Sequence, residues 1–120
     1  FFCDLQQRLN PAAASLRDPY FKLERAADFI REHCTEVLNL DDICAAAQLS
    51  PSYLIRAFKQ HYGMTPHAFL VNQRIQFARE RLRSGQLIAD VALEAGFADQ
   101  AHFQRAFKQH LAATPGQYRG

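Results

Sequence analysis

Arg56-Ala57-Phe58-Lys59-Gln60-His61 recurs unchanged as Arg105-Ala106-Phe107-Lys108-Gln109-His110, and Thr65-Pro66 is matched in the same frame by Thr114-Pro115. The shift is 49 residues throughout, so the chain contains an internal repeat. Upstream of each copy lies a short apolar-periodic stretch, 40–47 and 88–95, in which Ile43 matches Val91 at a shift of 48. The additional residue of the second copy therefore falls in the turn between two helices. A helix, a tight turn and a positively charged second helix, written twice, is what a chain needs to set two reading heads against one duplex.

Working outward from the repeat, the local signals are all helical, and no strand alternation occurs. Asp18-Pro19 offers a cap and a first-turn proline for a helix reaching about His33, with Leu23, Ala26, Ala27 and Ile30 at the 3.6-residue period. Asn39 with Asp42 three residues on reads as a capping box for a short helix ending near Ala47. Ser50-Pro51 opens the next helix, which Gly63 ends near Tyr62, and its core face is Leu54, Ala57, Phe58 and Tyr62. Thr65-Pro66 launches the longest helix, to about Ser84. Its buried stripe is Phe69, Leu70, Ile75, Ala78 and Leu82, while Arg74, Arg79, Arg81 and Arg83 populate the rest. The second unit runs from about Leu87 to Ala95, turns at Gly96, restarts at the cap Asp99, and reaches Leu111 before Thr114-Pro115 opens a last turn.

Charge is segregated along the chain. Residues 1–50 carry five Lys/Arg against eight Asp/Glu, whereas residues 51–120 carry nine against four, so the second half is the anion-facing one. The two repeated helices have Arg56, Lys59 and His61, and His102, Arg105, Lys108 and His110, with no carboxylate in either. Arg79, Arg81 and Arg83 read as an ordinary solvated face. No apolar run approaches 18 residues and no charged-then-apolar leader is present, so the expected setting is cytoplasmic. Cys3, Cys34 and Cys44 form an odd set without a Cys-x-x-Cys pair, which favours reduced, packed thiols over disulfides or zinc.

Helical geometry sorts the repeated helices into two faces. Ser52, Ile55, Arg56 and Lys59 face outward in the first, with Leu54 and Phe58 inward. Gln100, Ala101, Gln104, Arg105 and Lys108 face outward in the second, with Phe103 and Phe107 inward. Arginine can bind guanine O6 and N7 with two hydrogen bonds, glutamine can bind adenine, and an apolar group can meet the thymine methyl, so Ile55 and Ala101 also qualify. Lys59 and Lys108 sit a turn farther from the helix start and suit phosphate. The turn of each unit requires a residue tolerant of positive φ. Gly96 supplies it in the second unit, and Gln48 stands there in the first. An enzyme or metal protein is disfavoured because no His/Cys/carboxylate set has ligand spacing, and a protein-binding helical adaptor leaves the doubled acid-free helices unexplained.

The stretch Ile88-Ala-Asp-Val-Ala-Leu-Glu-Ala-Gly-Phe-Ala-Asp-Gln-Ala-His-Phe-Gln-Arg-Ala-Phe-Lys-Gln-His-Leu-Ala-Ala-Thr-Pro-Gly-Gln-Tyr118-Arg119 resembles the second-unit pattern of the DNA-binding domain of AraC/XylS-family bacterial transcription regulators. The resemblance extends over about residues 20 to 119. It implies an all-α fold of about seven helices, with two homeodomain-like helix-turn-helix lobes, 19–63 and 87–119, joined by a long linker helix, 65–84. It places base-reading positions at Ser52, Ile55 and Arg56, and at Gln100, Ala101, His102 and Arg105, with Ile55 standing where a polar reader is often found. Residues 1–18 are then a linker from an upstream effector-binding or dimerisation domain. The expected partners are double-stranded DNA and RNA polymerase, with activation favoured over repression, no cofactor, no metal and no catalysis.

Overall fold

The computed structural model describes residues 19–118, as seven α-helices and no strand among those residues. In chain order they are α1 Pro19–His33, α2 Leu40–Ala47, α3 Pro51–Tyr62, α4 Pro66–Arg83, α5 Ile88–Glu94, α6 Gln100–Leu111 and α7 Pro115–Tyr118. The linker expected over residues 1–18, the Asp18 cap, Cys3 and Arg119 lie outside the described residues. No helix among those described is long and apolar enough to cross a membrane.

The helices start and stop where their cap chemistry dictates. Asn39 Oδ1 accepts from the Asp42 N–H at 2.9 Å while Asp42 Oδ2 accepts from the Asn39 N–H at 3.2 Å, a complete capping box. Ser50 Oγ, Thr65 Oγ1 and Asp99 Oδ1 accept from the backbone three residues on, at 3.4, 3.2 and 2.7 Å. α5 differs from the sequence expectation at both ends. Leu87 occupies its N-cap without a side-chain bond, and Ala95 is its C-cap.

The repeat is visible in the closing hydrogen bonds. The Leu49 N–H reaches the Cys44 carbonyl and the Phe97 N–H reaches the Ala92 carbonyl, each at 3.1 Å and offset by 48. Both are the six-to-one closures that follow a left-handed residue, here Gln48 at φ 58° and Gly96 at φ 96°. The caps Ser50 and Asp99 are offset by 49, so the inserted residue of the second turn is Ala98. Downstream, Phe58 packs edge-on against Phe69 with ring centres 5.3 Å apart, and Phe107 packs edge-on against Tyr118 at 5.2 Å. Phe69 and Tyr118 are again 49 apart, so α7 is the one-turn counterpart of the start of α4.

Two apolar clusters hold these helices together. One gathers Leu23, Ala26, Ala27 and Ile30 of α1, Ile43 and Ala47 of α2, Leu54 and Phe58 of α3, and Phe69 and Leu70 of α4. The other gathers Ile75, Ala78 and Leu82 of α4, Val91 and Ala92 of α5, and Phe97, Phe103 and Phe107. α4 thus belongs to both, changing cluster between Leu70 and Ile75. Burial of side chains such as Leu54, Phe58, Phe103 and Phe107, all at 0% exposure, is what repays the entropy of ordering such short helices. Cys34 and Cys44 are free, buried thiols, and burial pushes both above the ordinary thiol value.

Two of the α4 arginines are held by other groups of the fold, and one of them, Arg79, is not the solvated charge that the sequence suggests. Arg79 is half-buried over the Tyr118 ring at 5.5 Å and donates to Gln76 Oε1 at 3.0 Å. Arg74 reaches back across the molecule, its Nε donating to the Cys34 carbonyl at 2.6 Å and a terminal nitrogen to the Glu36 carbonyl at 3.0 Å. Burial pushes this guanidinium below its ordinary value. The sequence could not reveal this role, because the acceptors are backbone atoms nearly 40 positions away.

Candidate nucleic-acid interface

α3 and α6 are each twelve residues long, and neither contains a carboxylate. Their apolar faces, Leu54 with Phe58 and Phe103 with Phe107, are buried against the two clusters. That orientation forces the opposite faces outward. Ser52, Ile55, Arg56 and Lys59 are exposed on α3, and Gln100, Ala101, His102, Gln104, Arg105 and Lys108 are exposed on α6. All ten residues proposed from the sequence are therefore accessible to a partner.

Their electrostatic setting is one-signed. Among the described residues Arg31 pairs with Asp28, and His33 Nδ1 stands 3.0 Å from Glu36 Oε2, on α1 and its exit; Arg56, Lys59, Arg105 and Lys108 enter no such contact. Arg56 lies over its own helix's Tyr53 ring at 5.7 Å, which steadies the guanidinium without neutralising it. An exposed cation without an acid partner keeps its donors available for an incoming anion or base edge. Ile55 is 41% exposed, an apolar side chain in the middle of this cationic face.

The histidines of the repeat diverge. His110 Nδ1 is 2.9 Å from the Ala106 carbonyl one turn back, whereas His61 packs against Tyr20 and Tyr62 with ring centres 4.8 and 4.6 Å away. His102 is exposed at the start of α6 with its ring edge-on to Phe97 at 5.3 Å. One residue absent from the sequence reading joins the face. His67, in the first turn of α4, lines with His102, Arg105 and Lys108 a groove of about 710 Å³ between α4 and α6. No spacing rule predicts that neighbour, because α4 and α6 meet only in the tertiary fold.

A family model described as a helix-turn-helix domain matches residues 43–120. Among curated proteins, the HTH-type transcriptional regulator MtrA of Neisseria gonorrhoeae is 40% identical over 82 residues, which are 68% of this chain and 27% of MtrA. A solved transcriptional regulator with an AraC-type DNA-binding domain, from Chromobacterium violaceum, superposes with a TM-score of 0.77 at 30% identity, covering 82% of this chain and 88% of that one. The chain belongs to the AraC-type helix-turn-helix family of transcription regulators. That family is one of DNA-binding regulators and not of enzymes. The DNA-binding domain of AdpA, solved in complex with a target DNA, is similar at 26% identity with a TM-score of 0.75, covering 81% of this chain and 88% of that one. The AraC-type domain here spans about a quarter to a third of the length of the first curated relatives, MtrA and PocR of Salmonella typhimurium.

Proposed function

We propose that this chain reads duplex DNA with both units at once, α3 and α6 lying in successive major grooves on one face of the duplex. On this reading 19–63 and 87–119 are the reading lobes and 65–84 is the joint. Ser52, Ile55 and Arg56 take base edges in one groove, and Gln100, Ala101, His102, Gln104 and Arg105 take them in the other. Lys59 and Lys108 hold phosphates. The observation that carries the reading is the doubling itself: two exposed, acid-free helices of equal length with arginine and lysine at matching positions.

Size supports it. The 18 residues of α4 span about 27 Å at about 1.5 Å each, and the molecule is 49 Å along its longest axis. Both suit reading helices about 34 Å apart, one turn of duplex. Because Ser52 and Ile55 correspond to Ala101 and Gln104, nothing requires the half-sites to be related by a two-fold axis. The expected site is asymmetric and bound by one chain.

The test is a gel-shift series on a site selected from random duplexes, with spacers altered between its halves. Five added base pairs turn the second groove to the opposite face and should reduce affinity to the level of one unit. Equal binding to all spacers, or a need for two chains on a palindrome, refutes the reading. We further infer that the chain serves as the DNA-reading part of a longer bacterial, cytoplasmic regulator, with an effector-binding or dimerisation domain upstream and RNA polymerase as a second partner. Activation is the favoured sign. Transcription in vitro from a promoter carrying the selected site decides it, since lowered output would make the protein a repressor.

A further inference from the structure

We propose that Arg74 is a positioning residue for DNA recognition: by clasping the exit of α1 to the α5–α6 turn, it fixes the spacing of half-sites that the chain accepts. The inference rests on the two-groove reading above. Three observations meet at this side chain. Its Nε and a terminal nitrogen donate to the Cys34 and Glu36 carbonyls, at 2.6 and 3.0 Å, just beyond the end of α1. Its guanidinium also lies 5.9 Å from the centre of the Phe97 ring, a buried member of the second cluster. And it sits on α4 between Leu70, which packs in the first cluster, and Ile75, which packs in the second.

Gly96 completes the clasp from the other side. A methyl group there would lie 2.9 Å from Arg74 Nε, 3.1 Å from the Thr35 carbonyl oxygen and 3.2 Å from the Cys34 carbonyl oxygen. The turn of the second unit is therefore pressed against the backbone of the first. A helix alone leaves two lobes free to rock about its ends. A charged hydrogen-bonded contact lateral to that helix removes the freedom, and a directional fork of donors does so better than an apolar patch, because it resists sliding.

The position of Arg74 makes its role separable from base contact. It is on neither reading helix, so losing it should leave the affinity of each unit for its own half-site intact. What should change is the coupling between the two. Effective concentration of the second unit falls when its orientation is no longer set, so affinity for the intact site should drop by about ten-fold. The penalty for spacers one or two base pairs off should shrink together with it, because a loosened pair can follow the groove.

The experiment measures wild type, Arg74→Ala and Arg74→Lys on four kinds of duplex: the selected site, the same site with one or two base pairs added or removed, and each half-site with the other scrambled. Circular dichroism and thermal unfolding accompany each variant. The expected result is a flattened spacer profile for Arg74→Ala with unchanged half-site binding, and a partial return of spacer preference in Arg74→Lys, whose ammonium can take one carbonyl. Wild-type discrimination that Arg74→Ala retains overturns the inference and leaves the two-groove reading standing. Uniform weakening on intact and half-sites alike, or loss of the helical signal in both variants, shows a role in holding the fold instead and overturns it as well. Equal binding of the wild type to every spacer refutes the two-groove reading, and this inference falls with it.

Discussion

Gly96→Ala separates two demands that the second turn places on one residue. The first is conformational: φ is 96°, where an L side chain costs roughly 1 kcal/mol. The second is steric, since the new methyl group would stand 2.9 Å from Arg74 Nε and 3.1 Å from the Thr35 carbonyl oxygen. The arginine can swing aside, but at the loss of a hydrogen bond from a charged group, worth about 1.5–3 kcal/mol. The carbonyl is backbone, and overpacking against it costs about 1–3 kcal/mol. Reduced freedom of the unfolded chain returns about 0.4–1 kcal/mol. These terms overlap, because relaxing one contact relieves the other, and the net expectation is a destabilisation of about 3 kcal/mol. For a domain of this size that lowers the thermal midpoint by roughly 12–24 °C. The matched control is Gln48→Ala at the corresponding turn, where φ is 58° and the side chain is exposed. Both residues there carry a Cβ, so the change should stay within about 0.5 kcal/mol. Urea unfolding followed by circular dichroism measures both. A second arm adds Arg74→Ala to Gly96→Ala; removing the side chain nearest the new methyl should make the pair less than additive by about 0.5–3 kcal/mol. A Gly96→Ala cost no larger than about 1 kcal/mol, or strict additivity with Arg74→Ala, would refute the steric argument and leave only the turn.

Two further outcomes follow from the interface and the caps. Arg105→Ala and Arg56→Ala should each cost about 1–3 kcal/mol of DNA affinity and relax preference at one base pair of their own half-site, whereas Lys59→Ala and Lys108→Ala should weaken all sequences alike and lower the salt slope by about one each; site selection with each variant, repeated at several salt concentrations, distinguishes them, and an unchanged selected site after both arginine changes would show that the reading faces are misassigned. Asn39→Ala breaks the capping box of α2, which should cost about 0.5–2 kcal/mol in urea unfolding while leaving the selected DNA sequence as it was.

What could be read in the sequence was local. Ser50-Pro51, Thr65-Pro66 and the Asn39/Asp42 pair announce helix starts because a capping oxygen and its acceptor amide lie within three residues, and each was found bonded as expected. The buried faces of α3 and α6 were legible for the same reason, a 3.6-residue period carried by Leu54 with Phe58 and Phe103 with Phe107. Arg74 was illegible. On α4 it has the spacing of a solvated arginine, and nothing within a helical turn of it hints at the Cys34 and Glu36 carbonyls. His67 is hidden for the like reason that its groove neighbours stand on α6. The contrast between Gln48 and Gly96 was visible but not its cause. Positive φ alone does not demand glycine, since Gln48 and Ala112 both adopt it; the demand at Gly96 comes from the first unit's backbone pressing on it.

The repeat also separates what the two units share from what they do not. The identical hexapeptide keeps one buried aromatic, Phe58 or Phe107, and two exposed cations, Arg56 with Lys59 or Arg105 with Lys108. The rings that close each unit, Phe69 and Tyr118, keep the same edge-on contact. The differences concentrate at the start of the second helix, where Pro51, Ser52, Tyr53 and Ile55 stand opposite Gln100, Ala101, His102 and Gln104. Phosphate contacts position a protein without regard to sequence, and side chains at the N-terminal end of such a helix reach base edges. On the two-groove reading, the retained lysines hold both units to the backbone in the same way, while the altered N-terminal residues give each groove its own sequence to read. Packing and charge constrain the common part; the chemistry of the base edge leaves the other free to differ.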